Sequence, residues 1–170
     1  IGGLNSVAQG FETLGNRGPS RVSAFLAPMM LPDMAAGMIS IRFGIKGPSM
    51  SITSACDSGA DALGMASTAI RNGDAKVAVA GGADACITPI AIAAFNACRA
   101  LSHRNDQPTR ASRPFDAERD GFVMAEGAAV LILEDMEFAC SRGATILAEL
   151  VGYGATSDAY HITQPAERGE

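Results

Sequence analysis

Apolar positions along the chain switch between helical and extended spacing, with glycine and proline at the changes. Ser6 can cap a helix from Val7 to about Leu14, ended by Gly15 and the Gly18-Pro19 pair. Pro32 and Asp33 suit a first helical turn and open a helix through about Phe43. Gly44 supplies its left-handed stop and Gly47-Pro48 the turn after it. Ser49 to Ala55 reads as a short buried strand with Met50 and Ile52 on one face. From Asp57 to Asn72, Leu63, Ala66, Ala69 and Ile70 recur at helical spacing, and Gly73 ends the helix. Lys76 to Ala80 is a strand running into Gly81-Gly82, and Pro89 to about Ala100 a helix. Ser102 to Asp120 is a polar loop, with Arg110, Arg113 and Arg119 expected to tie it down through Asp106, Asp116 and Asp120. A strand from Ala128 to Glu134, a helix from Met136 to Arg142 stopped by Gly143, a strand from Ile146 to Gly154 and a loop from Ala155 to Glu170 complete the chain. Strands alternating with helices predict an α/β layered architecture.

Composition narrows the class. With 170 residues, 48% hydrophobic and 18% charged, the chain is long enough for one globular domain burying about two-thirds of its unfolded surface. A net charge of −5 argues against a nucleic-acid partner, which needs a basic surplus. The apolar content excludes a disordered tail, and stretches such as Ala128 to Leu133 are far too short to cross a bilayer. Nineteen glycines and many alanines point to close backbone packing in a tight core. The opening Ile1-Gly2-Gly3 has no initiator Met and no signal-peptide pattern, so it reads as a piece opened inside a fold. The four cysteines have no zinc spacing and no C-x-x-C pair, and read as reduced thiols of a cytoplasmic protein. Cys86, Cys98 and Cys140 are expected as small buried hydrophobes.

Cys56 differs by position, because it lies where the run 49–55 gives way to the Ala-rich helix. Unpaired N–H groups and the positive end of a helix dipole favour an anion there and push a thiol towards the nucleophilic thiolate. The same groups can cradle an oxyanion. Gly59 and Gly64 let another backbone or a long ligand approach the helix. Position alone leaves catalysis and inert packing both open, since a Cys at a helix start is more often inert.

The run Gly47-Pro48-Ser49-Met50-Ser51-Ile52-Thr53-Ser54-Ala55-Cys56-Asp57-Ser58-Gly59-Ala60 resembles the active-site signature of the β-ketoacyl synthases. The resemblance continues in order through Gly73-Asp74-Ala75, Val79-Ala80-Gly81-Gly82-Ala83, Arg99-Ala100-Leu101-Ser102, Ala111-Ser112-Arg113-Pro114-Phe115-Asp116, Arg119-Asp120-Gly121-Phe122-Val123, Glu126-Gly127-Ala128 and Ser157-Asp158-Ala159-Tyr160-His161. It implies a thiolase-like layered α/β/α fold, incomplete at both ends. Residues 1–170 would then be the central part of a synthase, its N-terminal half running into the start of the C-terminal half.

The implied chemistry is a decarboxylative Claisen condensation that elongates fatty acids by two carbons. Cys56 would hold the acyl chain as a thioester and malonyl-carrier protein would supply the carbanion. The implied partners are an acyl carrier protein, acyl and malonyl thioesters, and a second copy in a homodimer, paired through the strand before Cys56. No nucleic acid, membrane, metal or cofactor of its own is implied, the phosphopantetheine being carried by the carrier protein. Ile1 and Phe95 match positions lining the acyl pocket, Thr163 one near the malonyl site, and Arg99 one at the entrance used by the carrier protein. His161 and His103 match no catalytic base. The family's two catalytic histidines and gating phenylalanine do not occur in these residues, so the 170 residues alone are expected to be inactive. Asp57 departs from the small neutral residue usual in the family; it favours the helix start but opposes ionisation of the thiol beside it. The alternatives are an aromatic polyketide ketosynthase, against which Ser157-Asp158 and Gln164-Pro165 speak, and a non-catalytic chain-length partner subunit, disfavoured by Cys56.

Overall fold

The computed structural model describes residues 1–169. Glu170, the end of the expected terminal loop, lies outside them. The chain forms two compact units, one of Ile1–Ala55 with Gly82–Ala129 and one of Cys56–Gly81 with the residues from Val130 on.

In the first unit, α1 (Leu4–Arg17) starts three residues before the expected Val7. Its N-cap is Gly3, which offers no side-chain bond, so the Ser6 cap read from the sequence is not used. α2 (Leu26–Met30) packs on α1, and glycine makes that approach possible. A methyl group on Gly3 would run into the Met29 carbonyl, and one on Gly10 into the Leu26 side chain. α3 (Met34–Phe43) ends at Gly44, whose φ of 66° lets the Ile45 amide return to the Ser40 carbonyl at 3.0 Å. It starts two residues after the expected Pro32, and Asp33 stands at the N-cap without a side-chain bond.

α5 (Pro89–Ala97) is capped by the buried Thr88, whose hydroxyl accepts the Ala91 amide at 3.3 Å. The Glu126 carboxylate accepts the Ile87 amide at 2.8 Å, fixing the approach to that cap. Beyond α5, the polar loop closes on Asp120, which accepts the Ser102 hydroxyl at 2.7 Å and the His103 amide at 3.0 Å. The ion pairs here are Arg104 with Asp120 at 3.6 Å and Arg113 with Glu118 at 3.8 Å. They correct the set expected from sequence: Arg119 donates to the Asp116 carbonyl and Arg113 to that of Arg110, because the tight turns bring main chain closer than carboxylates.

The second unit contains α4 (Ser58–Arg71) and α6 (Met136–Ser141). The Asp135 carboxylate caps α6 through the Phe138 amide at 3.0 Å, and Arg142 at its far end pairs with Glu134. β1 (Val77–Asp84) and β2 (Gly127–Glu134) are hydrogen-bonded neighbours in a two-stranded sheet. β1 runs four residues past the expected Ala80 and through Gly81-Gly82, because pairing with a neighbour sets strand length more than intrinsic propensity does.

Two expected strands are absent. Residues 49–54 and 146–154 belong to no strand among the described residues, since an apolar extended run becomes one only when a partner completes its ladder. Residues 150–153 instead lie along α4, as described below. The expected tight core is also missing. The buried apolar residues are Cys86, Ala91, Ala111 and Ala139, and no large side chain is fully buried among the described residues. Cys98 and Cys140 are exposed, correcting their reading as core. The accessible surface is 13131 Å², against about 7,900 Å² for a self-contained monomer of this size. β2 shows the origin of the surplus: Val130, Leu131 and Ile132, consecutive and therefore on both faces of the strand, are 48%, 53% and 67% exposed.

Candidate active site

Cys56 occupies a 3-10 turn, Ala55–Asp57, directly ahead of α4. The turn is built on Ala55, whose φ of 62° lies in the left-handed region. A residue with a Cβ there costs about 1–2 kcal/mol. Strain of this kind concentrates at sites where the chain must be re-aimed. Here it swings the extended run 49–54 into the helix and leaves the Cys56 thiol exposed. Asp57 stands at the N-cap of α4 without a side-chain cap bond.

Cys86 is the contrasting thiol. It is 7% exposed, and burial followed by the neighbouring Asp84 carboxylate raises its pKa. Burial and a neighbouring anion both disfavour the Cys86 thiolate.

The other expected residues are divided between the units. Thr163 is in the second, with Cys56; Ile1, Phe95 and Arg99 are in the first. Ile1 is 62% exposed. Phe95 is half-buried and meets Phe122 edge-on, ring centroids 5.2 Å apart at 84°. Arg99 is exposed and left-handed, φ 56°, one residue past the C-cap Cys98, and the Ala100 amide returns to the Phe95 carbonyl at 3.1 Å. One tight helix end thus places both Phe95 and Arg99.

Thr163 is exposed and belongs to a loop organised by two side chains. His161 Nδ1 accepts the Thr163 amide at 3.2 Å and the Gln164 amide at 3.1 Å. Asp158 accepts the Ala166 and Tyr160 amides, and these bonds lower its pKa. A cleft of about 640 Å³ in the first unit, between residues 112–115 and 119–123, includes none of the expected site residues.

Sequence reasoning missed Tyr153 and Asp61. The Tyr153 hydroxyl donates to Asp61 Oδ1 at 2.5 Å, across 92 residues of sequence. Tyr153 falls in the segment read as a strand, and no local signal marks its partner.

Residues 1–139 match the beta-ketoacyl synthase N-terminal domain, and the chain belongs to the β-ketoacyl synthase family. Among its relatives is the 3-oxoacyl-acyl-carrier-protein synthase 2 of Rhizobium meliloti (strain 1021), 52% identical over 171 residues. That match takes in 100% of this chain and 41% of the relative, so the chain spans about two-fifths of the length of such proteins. A β-ketoacyl synthase from Burkholderia phymatum STM815 superimposes with a TM-score of 0.89 at 40% identity, covering 98% of this chain and 41% of that one. A type II polyketide ketosynthase, solved with its acyl-carrier protein and bound to a hexaketide, superimposes with a TM-score of 0.85 at 38% identity, covering 94% and 41%. The fold is therefore the thiolase-like α/β fold of the ketosynthases, present in part.

Proposed function

We propose that Cys56 is the acyl-accepting nucleophile of a 3-oxoacyl-acyl-carrier-protein synthase that elongates fatty acids. Residues 1–170 are then the central part of that enzyme, its N-terminal half continuing into the start of its second half. The observation that carries this reading is the exposed Cys56 thiol on the left-handed Ala55 turn at the head of the 14-residue helix α4.

In this reading the Cys56 thiolate attacks the thioester carbonyl of an acyl group on the carrier protein. A new C–S bond forms to Cys56, and the phosphopantetheine thiolate leaves and takes up a proton. Malonyl-carrier protein then loses CO₂, and the carbanion left behind attacks the Cys56 thioester. The new C–C bond lengthens the chain by two carbons and frees Cys56 as thiolate. Developing oxyanions sit at the positive end of α4. The two histidines and the gating phenylalanine of the family come from beyond these residues.

Arg99 faces the carrier protein: it is an exposed cation on a chain of net charge −5, suited to an acidic partner. The carrier protein solved with the similar polyketide ketosynthase agrees with such a partner. Ile1 and Phe95 line the acyl pocket, and Thr163 lies near the malonyl group. The enzyme works in the cytoplasm as a homodimer whose copies pair through the run before Cys56. In support, residues 49–53 join no strand among the described residues, Met50 is 58% exposed, and no helix among them is long and apolar enough to cross a membrane.

Intact-mass spectrometry of the complete enzyme, after incubation with acyl carrier proteins bearing chains of graded length, tests this reading. One acyl mass is expected on Cys56 and none in Cys56→Ala; an unmodified Cys56 with every acyl donor would sink it.

A further inference from the structure

Residues 150–153 hold α4 at three places. At its fourth residue, Asp61 accepts the Tyr153 hydroxyl at 2.5 Å. One turn on, the Tyr153 ring lies on the buried Gly64, so closely that a methyl group there would overlap the ring. In the last turn, Arg71 donates to the Leu150 carbonyl at 3.4 Å and to that of Val151 at 3.1 Å. The hydroxyls of Ser67 and Thr68 both turn back onto the Gly64 carbonyl, each at 3.0 Å, and are satisfied within the helix.

We infer that Tyr153 and Asp61 form a latch that sets the axial position and rotation of α4, and so positions Cys56. The inference rests on Cys56 being the nucleophile. Ring packing on Gly64 holds that face of α4 against Tyr153, and the short directional bond to Asp61, nearer Cys56, fixes the small turn and slide that packing alone still allows. Cys56 belongs to the turn that leads into this helix, so a displacement of α4 moves the thiol with it. A slip of one residue carries it about 1.5 Å along the axis. Misplacement of a reacting atom by about 1 Å can cost about a hundredfold in rate. The phenol sits close enough to the head of the helix to feel the charge of Asp57, the neighbour of Cys56. The Asp61 bond is the chief reason its pKa is raised, with burial and the Asp61 and Asp57 charges adding to it. Tyr153 and Asp61 are thus positioning residues, acting through the helix.

The test compares Tyr153→Phe, Asp61→Asn and the double variant in the complete enzyme, with equal folding checked by circular dichroism. Phenylalanine keeps the ring over Gly64 and removes only the bond. Each single variant should slow single-turnover acylation of Cys56 roughly tenfold at unchanged KM for the acyl carrier protein, and the double variant should be no slower than either. In ¹³Cζ-tyrosine NMR, the Tyr153 phenol should ionise above the ordinary range and move back towards it in Asp61→Asn. Acylation at the parent rate in well-folded Tyr153→Phe would overturn the latch, whatever the phenol does. A parent enzyme that takes no acyl group would instead overturn the proposed function. The latch is then read from alkylation of Cys56 by iodoacetamide, where a change of threefold or more in Tyr153→Phe upholds it and an unchanged rate removes it.

Discussion

The end of α5 puts an arginine where the backbone favours glycine. Arg99 sits at φ 56°, and its left-handed turn lets the Ala100 amide reach the Phe95 carbonyl at 3.1 Å. Replacing Arg99 by Gly and, separately, by Ala isolates the cost. Both variants lose the cation beside the helix C-terminus, worth about 0.3–1 kcal/mol, so that loss cancels between them. They differ in the left-handed penalty of about 1–2 kcal/mol, which only Ala carries. They also differ in the greater unfolded-chain entropy of Gly, which returns about 0.5–1 kcal/mol to Ala. Arg99→Gly should therefore be more stable than Arg99→Ala, by about 0.75 kcal/mol at the midpoints of these two ranges. Urea unfolding of the complete enzyme followed by circular dichroism, with equal m-values, measures the gap. If Arg99 is also the carrier-protein contact, KM for the carrier should rise equally in both variants, because both lack the guanidinium. An Ala variant as stable as the Gly variant would refute the geometric reasoning, and a KM rise in only one would refute the charge argument.

Two further outcomes follow from the caps and the polar loop. Thr88→Ala removes the buried cap of α5 and should cost about 1 kcal/mol in the same unfolding experiment, with Thr88→Ser recovering most of it. Asp120 has its pKa lowered by the Ser102 hydroxyl first, then by the His103 amide and Arg104. Its folded value lies below its unfolded one, so its contribution is full above about pH 4 and is lost as pH falls through the folded value. The parent should lose stability more steeply than Asp120→Asn over that acid range, and parallel pH–stability curves would contradict the assignment.

Features decided within a few residues were legible in the sequence. The helix stops at Gly44, Gly73 and Gly143 carry φ of 66°, 81° and 67°, where glycine is the natural occupant. The Pro89 opening of α5 and the Cys56 helix junction were legible for the same reason; the Thr88 cap was not. The runs 49–54 and 146–154 carry the composition of strands, yet a strand exists only where another segment completes its ladder, and that is not written locally. Ala55 and Arg99 are left-handed at residue types that do not announce it, so the strain marking both positions emerges only from the backbone. The Tyr153–Asp61 bond joins residues 92 positions apart, and neither side chain hints at the other. Recognition of the motifs around Cys56 named the family; the support behind Cys56 had to come from the fold.

β1 and β2 have a further consequence at the level of single amides. In a strand bonded along one edge, every second residue turns its N–H to the neighbour and the others point away. Across 77–84 and 127–134, amide hydrogen exchange should therefore alternate between slow and fast sites, a two-residue rhythm unlike the continuous protection of a strand bonded on both edges. A segment that docks along an outer edge would silence the fast set on that strand alone. The exchange pattern over these sixteen residues is thus a residue-by-residue gauge of how far the sheet has been filled in as the surrounding protein assembles.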